Sequence, residues 1–227
     1  MASPEFLKRF YYRNWFLFHS IRRWEYGIAK RFARGRLLDA GCGNGALTLR
    51  FSRFASETIA IDSSAGVVAA AKKYNNPFGG INYSVGTLRK LDFPNGCFDS
   101  VVCISVLGQC DGYRDEVVRE LLRVTRKGGV VVLAANAVFI NGLKIMKVMK
   151  DENGNVRRGN REANGKEIEV QRFYALKSRV LRRAYDFFLK YRDWRTLFSF
   201  FMHPLFWLDA RFGRGKGQTE IVVIQKN

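Results

Sequence analysis

LLDAGCGNGALTLRFSRF, residues 37–54, decides how the chain reads. A short apolar strand ends near Asp39, glycines follow at 41, 43 and 45, and apolar residues then recur at helical spacing. In an open parallel sheet, ligands bind beyond the carboxyl ends of the strands, and glycine lets the backbone pass close to them. The residues around the glycines bear on what the turn holds. A phosphate-cradling P-loop needs a lysine followed by Ser or Thr after its last glycine, and none stands here. The dinucleotide pattern G-x-G-x-x-G/A is formally met by Gly41, Gly43 and Ala46.

Two acids shift that balance. Asp39 lies two residues before the first glycine, where its negative charge opposes a pyrophosphate and suits a cationic group. Asp62 ends the next apolar run, ETIAID (57–62), about 20 residues beyond the first glycine, where an acid meets ribose hydroxyls. A ligand with a ribose and a positive end satisfies both; S-adenosylmethionine has both.

Outward from the turn, strands alternate with helices. The pattern predicts strands over 36–40, 57–62, 81–86, 97–105 and 130–138, and helices over 46–55, 63–75 and 115–127, the last stopped by Gly128 and Gly129. Such alternation implies right-handed crossovers and a largely parallel sheet. Beyond residue 140 the pattern loosens. Residues 150–166 read as a polar loop or hairpin, 172–191 as a basic, aromatic helix, and 219–227 as a last strand.

Four motifs in this order resemble the class I S-adenosylmethionine-dependent methyltransferases, of the group that acts on small molecules, quinones and lipids. LLDAGCGNG is similar to the family's first motif and IAID to its second. FPNGCFDSVVCISVL (93–107) and ELLRVTRKGGVVVLA (120–134) are similar to later blocks. The resemblance covers roughly residues 30–139. It implies an α/β, Rossmann-like, seven-stranded methyltransferase sheet with helices on both faces, an antiparallel last strand and a helical lid. It also implies S-adenosyl-L-methionine as cofactor. Asp39, Gly41, Gly43 and Gly45 would then surround its methionine part, and Asp62 would take the ribose hydroxyls with Ser63 beside it. Thr87 and Leu88 would flank the adenine, and Ile104 would line the pocket. Thr87 departs from the acid common at its position, and Lys127 from the usual proline.

The expected organisation is one domain over 1–227. It has an N-terminal helical cap (1–35), a cofactor-binding core (36–139), a lid and substrate region (140–215) and the last strand (216–227). Formal charge is +19. Nine Lys/Arg stand against two acids in 1–36, eleven against nine in 37–139, and nineteen against nine in 140–227. Basic flanks around a near-neutral core suit an anionic partner. The flanks also interleave aromatics with arginine, as in FLKRFYYRNWFLFHSIRRWEY (6–26), and LFSFFMHPLFWL (197–208) is strongly apolar. That composition favours a small-molecule or lipid-like acceptor, with peripheral contact to an anionic membrane, over nucleic acid. An RNA methyltransferase and a non-catalytic binding protein are the alternatives; no N-P-P-Y-type tetrad follows the fourth strand.

Residues 196–210 are too short for a spanning helix, and the N-terminal residues lack the apolar segment of a secretory leader. Cys42, Cys97, Cys103 and Cys110 form no C-x-x-C pair, which predicts reduced thiols, a cytoplasmic setting and no metal site. A sulfonium carries its own activation, so the sequence names no catalytic residue. His19 and His203, the two histidines, are the candidate bases, and Tyr11, Tyr12 and Tyr174 are candidates for orienting an acceptor.

Overall fold

The computed structural model describes residues 20–143, 161–163, 166–175 and 217–226, together with residues 5, 9, 10, 12, 13, 183, 204, 205 and 207–209. One mixed sheet organises them. Its strands are β1 (Arg36–Ala40), β2 (Glu57–Asp62), β3 (Ile81–Val85), β4 (Phe98–Ile104), β5 (Thr125–Asn136), β6 (Arg161–Ala163), β7 (Lys166–Ala175) and β8 (Thr219–Lys226). The order across the sheet is β3-β2-β1-β4-β5-β8-β7-β6. The first five strands are parallel, and β8 enters antiparallel between β5 and β7.

The order reverses at β1, between β2 and β4, so a crevice opens at the carboxyl ends of β1 and β4. The glycine turn after β1 lies there. Helices α1 (Ser20–Ala29), α2 (Thr48–Phe51), α3 (Ala65–Tyr74), α4 (Arg114–Val124) and α5 (Ala137–Gly142) accompany the sheet. Parallel strands covered on both faces need apolar side chains on both, and β5 meets this with an unbroken buried run from Val130 to Ala135. Val117, Val118, Leu121 and Val124 of α4 and Ile140 of α5 join one core cluster. Trp24, Ile28 and Ala29 of α1 join another with Val102, Val132 and Ile221. The predicted N-terminal cap thus includes a helix seated on the sheet. Trp207 is packed against α1, since a Cβ on Gly27 would lie 2.8 Å from its ring.

The antiparallel last strand and the helix-covered sheet follow the sequence reading; four elements depart from it. The seventh strand, for which no residues were predicted, is β7, and the three-residue β6 makes eight. Residues 172–175 therefore belong to a strand, not to the predicted helix, and the expected lid region contributes two strands to the sheet. The predicted helix over 46–55 is confined to four residues, because the Ser52 hydroxyl donates back to the Leu49 carbonyl and Phe54 N–H closes a tighter turn onto Phe51. Finally, α4 ends at Val124, and residues 125–129 open β5. Phe98 pairs with Thr125 and Ser100 with Val130, so the intervening residues form an irregularity whose Arg126 reaches Asp99. Gly128 and Gly129 sit in that irregularity inside the strand and do not terminate the helix.

Candidate cofactor site

The turn after β1 spends its backbone donors on the protein. Gly41 and Cys42 N–H donate to the Ile61 carbonyl, Gly43 N–H to Asp62 Oδ2 at 2.9 Å, Gly45 N–H to the Cys42 carbonyl, and Ala46 N–H to Asn44 Oδ1. A pyrophosphate or triphosphate is held by free loop amides and a helix terminus. Here five amides are already satisfied and two carboxylates flank the loop, so the corner is an electronegative one.

Asp39 is buried at the end of β1, and its Oδ2 accepts from Thr48 Oγ1 at 2.6 Å. Burial pushes its carboxyl up to about 7; the Thr48 hydrogen bond opposes this and the Asp62 charge adds to it. A buried acid of this kind gains most from a ligand that brings a positive charge. Asp62, at the end of β2, is half-buried. Its Oδ2 holds Gly43 N–H and its Oδ1 accepts from Ser64 N–H at 3.0 Å. A carboxylate has about four acceptor positions, so the carboxylate that fixes the loop retains capacity for a diol.

A cavity of about 530 Å³ opens on this corner. Asp39, Gly41, Gly43, Asp62, Ser63, Thr87, Leu88 and Ile104 all border it. Gly45 is not among its lining residues; a Cβ there would lie 2.4 Å from the Tyr83 hydroxyl, so this glycine seats the turn on the sheet. Gly41 (φ +82°) has no room either, because a Cβ would come within 2.2 Å of Val106. A Cβ on Gly43 would meet nothing within 4 Å, which leaves its backbone open where the loop borders the cavity. The Thr87 hydroxyl accepts from Arg89 N–H at 3.3 Å within its own turn.

Residues 38–133 match the family described as Methyltransferase domain. That match runs from β1 into β5, over the strands and the turn that frame the cavity. The chain is similar to the uncharacterised methyltransferase YcgJ of Bacillus subtilis, with 31% identity over 44% of this chain and 40% of that protein. It is also similar to the malonyl-[acyl-carrier protein] O-methyltransferase of Enterobacter lignolyticus, with 32% identity over 48% and 41%. The chain thus spans about two fifths of the length of these curated relatives. A solved structure from Thermotoga maritima, described as a methyltransferase and possible histamine N-methyltransferase, shares the fold. Its TM-score is 0.54 at 15% identity, over 98% of this chain and 95% of that one.

Beyond the expected site residues, the fold draws further residues to the cavity. Tyr12 stacks on Tyr74 with ring centroids 4.8 Å apart and borders the opening. Arg22 reaches it from α1, and Ser105, Val106, Gln109 and Tyr113 from the segment after β4. Ser105 and Val106 stand within the block 93–107, directly after Ile104, the one residue of that block expected at the pocket. Tyr174 lies instead by Arg172 and Glu220. His19, His203 and Tyr11 lie outside the described residues. Cys42 borders the cavity, but burial and the two acids raise its thiol pKa, which opposes a nucleophilic role. Cys103 and Cys110 are buried. Among the described residues no group of three or more His, Cys, Asp or Glu side chains could hold a metal. No helix among them is long and apolar enough to cross a membrane.

Proposed function

We propose that the protein is an S-adenosylmethionine-dependent methyltransferase acting on a small-molecule or lipid-like acceptor. The observation that carries this reading is the pairing of amides already spent inside the protein with two carboxylates at the cavity. That pairing disfavours a phosphate-bearing dinucleotide and favours a ligand with a ribose and a cationic end. The residues present fit S-adenosylmethionine. The Gly43 backbone leaves space at the cavity, and Asp39 offers a counter-charge to an ammonium or sulfonium. Asp62 and Ser63 offer hydrogen bonds to a ribose, and Leu88 with Ile104 offers apolar walls.

When bound, the cofactor supplies a methyl group already activated on a positive sulfur. The chain's own contribution is positioning: Asp39 and Asp62 fix the two ends of the ligand, and the turn sets its depth. The names of relatives, a malonyl-carrier O-methyltransferase among them, support an acceptor other than nucleic acid. The exposed Leu205 and Leu208, within a basic flank of the chain, support contact with an anionic lipid surface that presents such an acceptor.

Methyl-tritiated S-adenosylmethionine tests the reading with a lipid extract and with RNA at two salt concentrations. Label entering the lipid fraction, and lost in Asp62→Ala, is the expected result. Salt-sensitive label in RNA would replace the acceptor class. Binding without transfer to any fraction would leave a cofactor-binding protein.

A further inference from the structure

At the amino ends of the parallel strands, away from the cavity, hydrogen bonds tie three segments into one surface. Ser56 N–H donates to the Gly35 carbonyl at 2.8 Å, which joins the turn 52–56 to the turn 30–35. Arg34 Nη2 reaches the Gly128 carbonyl in the irregularity of β5, and Arg36 N–H and Arg126 Nε share the Asp99 carboxylate. Asp99 and Glu57 are the acids of this surface, and both are paired, Asp99 with Arg126 and Glu57 with Arg36. Lys30, Arg31, Arg34, Arg53 and Lys127 are exposed, with no carboxylate at ion-pair distance among the described residues. Cations held together in this way repel one another, and an anionic partner relieves that repulsion.

Apolar side chains stand among these cations. Phe54, next to Arg53, is 47% exposed. β3 starts in register with β2, Ile81 opposite Thr58, so the turn before β3 opens on the same end. Asn76 fixes that turn by exchanging hydrogen bonds with the Ile81 backbone, and Phe78 within it is 96% exposed. Trp207 packs on Gly27, within one helical turn of Lys30, which brings the exposed Leu205 and Leu208 near the turn 30–35. A lone exposed apolar residue is ordinary; here they border one basic surface. Cations interleaved with exposed aromatic and aliphatic side chains match an anionic bilayer, where the charges meet headgroups and the apolar groups enter the acyl boundary. Nucleic acid would use the cations and stack on the phenylalanines, but it leaves Leu205 and Leu208 without a role.

We infer that this amino-end surface docks on an anionic phospholipid bilayer, with Lys30, Arg31, Arg53 and Lys127 at the headgroups and Phe54 and Phe78 inserted between them. The inference goes beyond the methyltransferase reading. The cavity is built at the carboxyl ends of the strands, by Asp39, Asp62 and Ile104 among others, so docking and cofactor binding are separable.

The test sediments the full chain, without cofactor, with vesicles of phosphatidylcholine alone and of an equal mixture with phosphatidylglycerol, at low and at physiological salt. Binding to the mixed vesicles and not to phosphatidylcholine, weakened by salt, is expected. Arg31→Glu/Arg53→Glu is expected to weaken it by roughly tenfold or more. Lys90→Glu/Arg119→Glu makes the same change of charge beside α4, away from these turns, and is expected to weaken it by at most about twofold. Phe54→Ser/Phe78→Ser keeps the charge and is expected to weaken it several-fold. Thermal melts confirm that each variant is folded. No binding to the mixed vesicles, equal loss in the two charge-reversed variants, or undiminished binding by Phe54→Ser/Phe78→Ser would overturn the inference. Single-stranded RNA bound through Arg31 and Arg53, with no vesicle binding, would reassign the surface to nucleic acid and overturn it too.

Discussion

The Thr48 hydroxyl donates to Asp39 Oδ2 across 2.6 Å, and both side chains are buried beneath the glycine turn. One hydrogen bond does not offset the loss of water around a carboxylate, so Asp39 titrates near 7. Its affinity for a cation and its effect on stability therefore depend on pH.

The sign for stability follows from the raised value. Between the unfolded carboxyl value near 4 and the folded value near 7, the native state holds the proton more tightly, so this group's contribution falls as pH rises through that window. Asp39→Asn keeps an acceptor for Thr48 and removes the charge. Its stability relative to the unsubstituted protein is expected to rise across the window and level off above pH 7, by roughly 2–4 kcal/mol. Urea denaturation without ligand at pH 5 and pH 8 measures it; a difference that does not grow with pH would contradict the burial argument.

Ligand binding runs the other way. A cationic ligand needs Asp39 ionised, so S-adenosylmethionine affinity is expected to fall by up to tenfold per pH unit below 7, and to lose that dependence in Asp39→Asn. Calorimetry between pH 5.5 and 8 provides the comparison.

The glycines of the turn differ in what they tolerate. Gly41→Ala drives a Cβ into Val106 at a left-handed backbone position, and a loss of at least about 2 kcal/mol is expected. Gly43→Ala meets no protein atom, so the backbone penalty of about 1–2 kcal/mol is its main cost to the fold. The added methyl instead intrudes on the cofactor side. Thermal melts with and without S-adenosylmethionine separate the two: Gly41→Ala lowers the apo melting temperature more, while Gly43→Ala chiefly reduces the ligand-induced rise.

Arg172 and Glu220 form an ion pair at 2.7 Å with 7% and 0% side-chain exposure. Removing the guanidinium from a fully buried carboxylate is expected to cost about 3–5 kcal/mol, whereas replacing both partners with apolar residues recovers much of it. Chemical denaturation of Arg172→Met and of Arg172→Met/Glu220→Leu tests this; equal destabilisation by the two would exclude it.

The same pair explains why β7 was hidden. Ile168, Val170 and Tyr174 carry the alternation of a strand, but Arg172 interrupts it with a charge, and its buried partner lies 48 residues away. The core from β1 to β4 was legible because its apolar runs and turn glycines are local signals. Asp39 and Asp62 were legible as acids beside a glycine turn. Arg22 was not, since it reaches the cavity only where α1 packs on the sheet. The amides of the turn likewise carry no sequence signal that distinguishes free donors from spent ones.

Calorimetric titration of S-adenosylmethionine and, separately, of NAD into the folded protein tests the central claim most directly. The account predicts saturable binding of S-adenosylmethionine at one site, weakened at least tenfold by Asp62→Ala, and no comparable binding of NAD. Binding of NAD with no response to S-adenosylmethionine would contradict it.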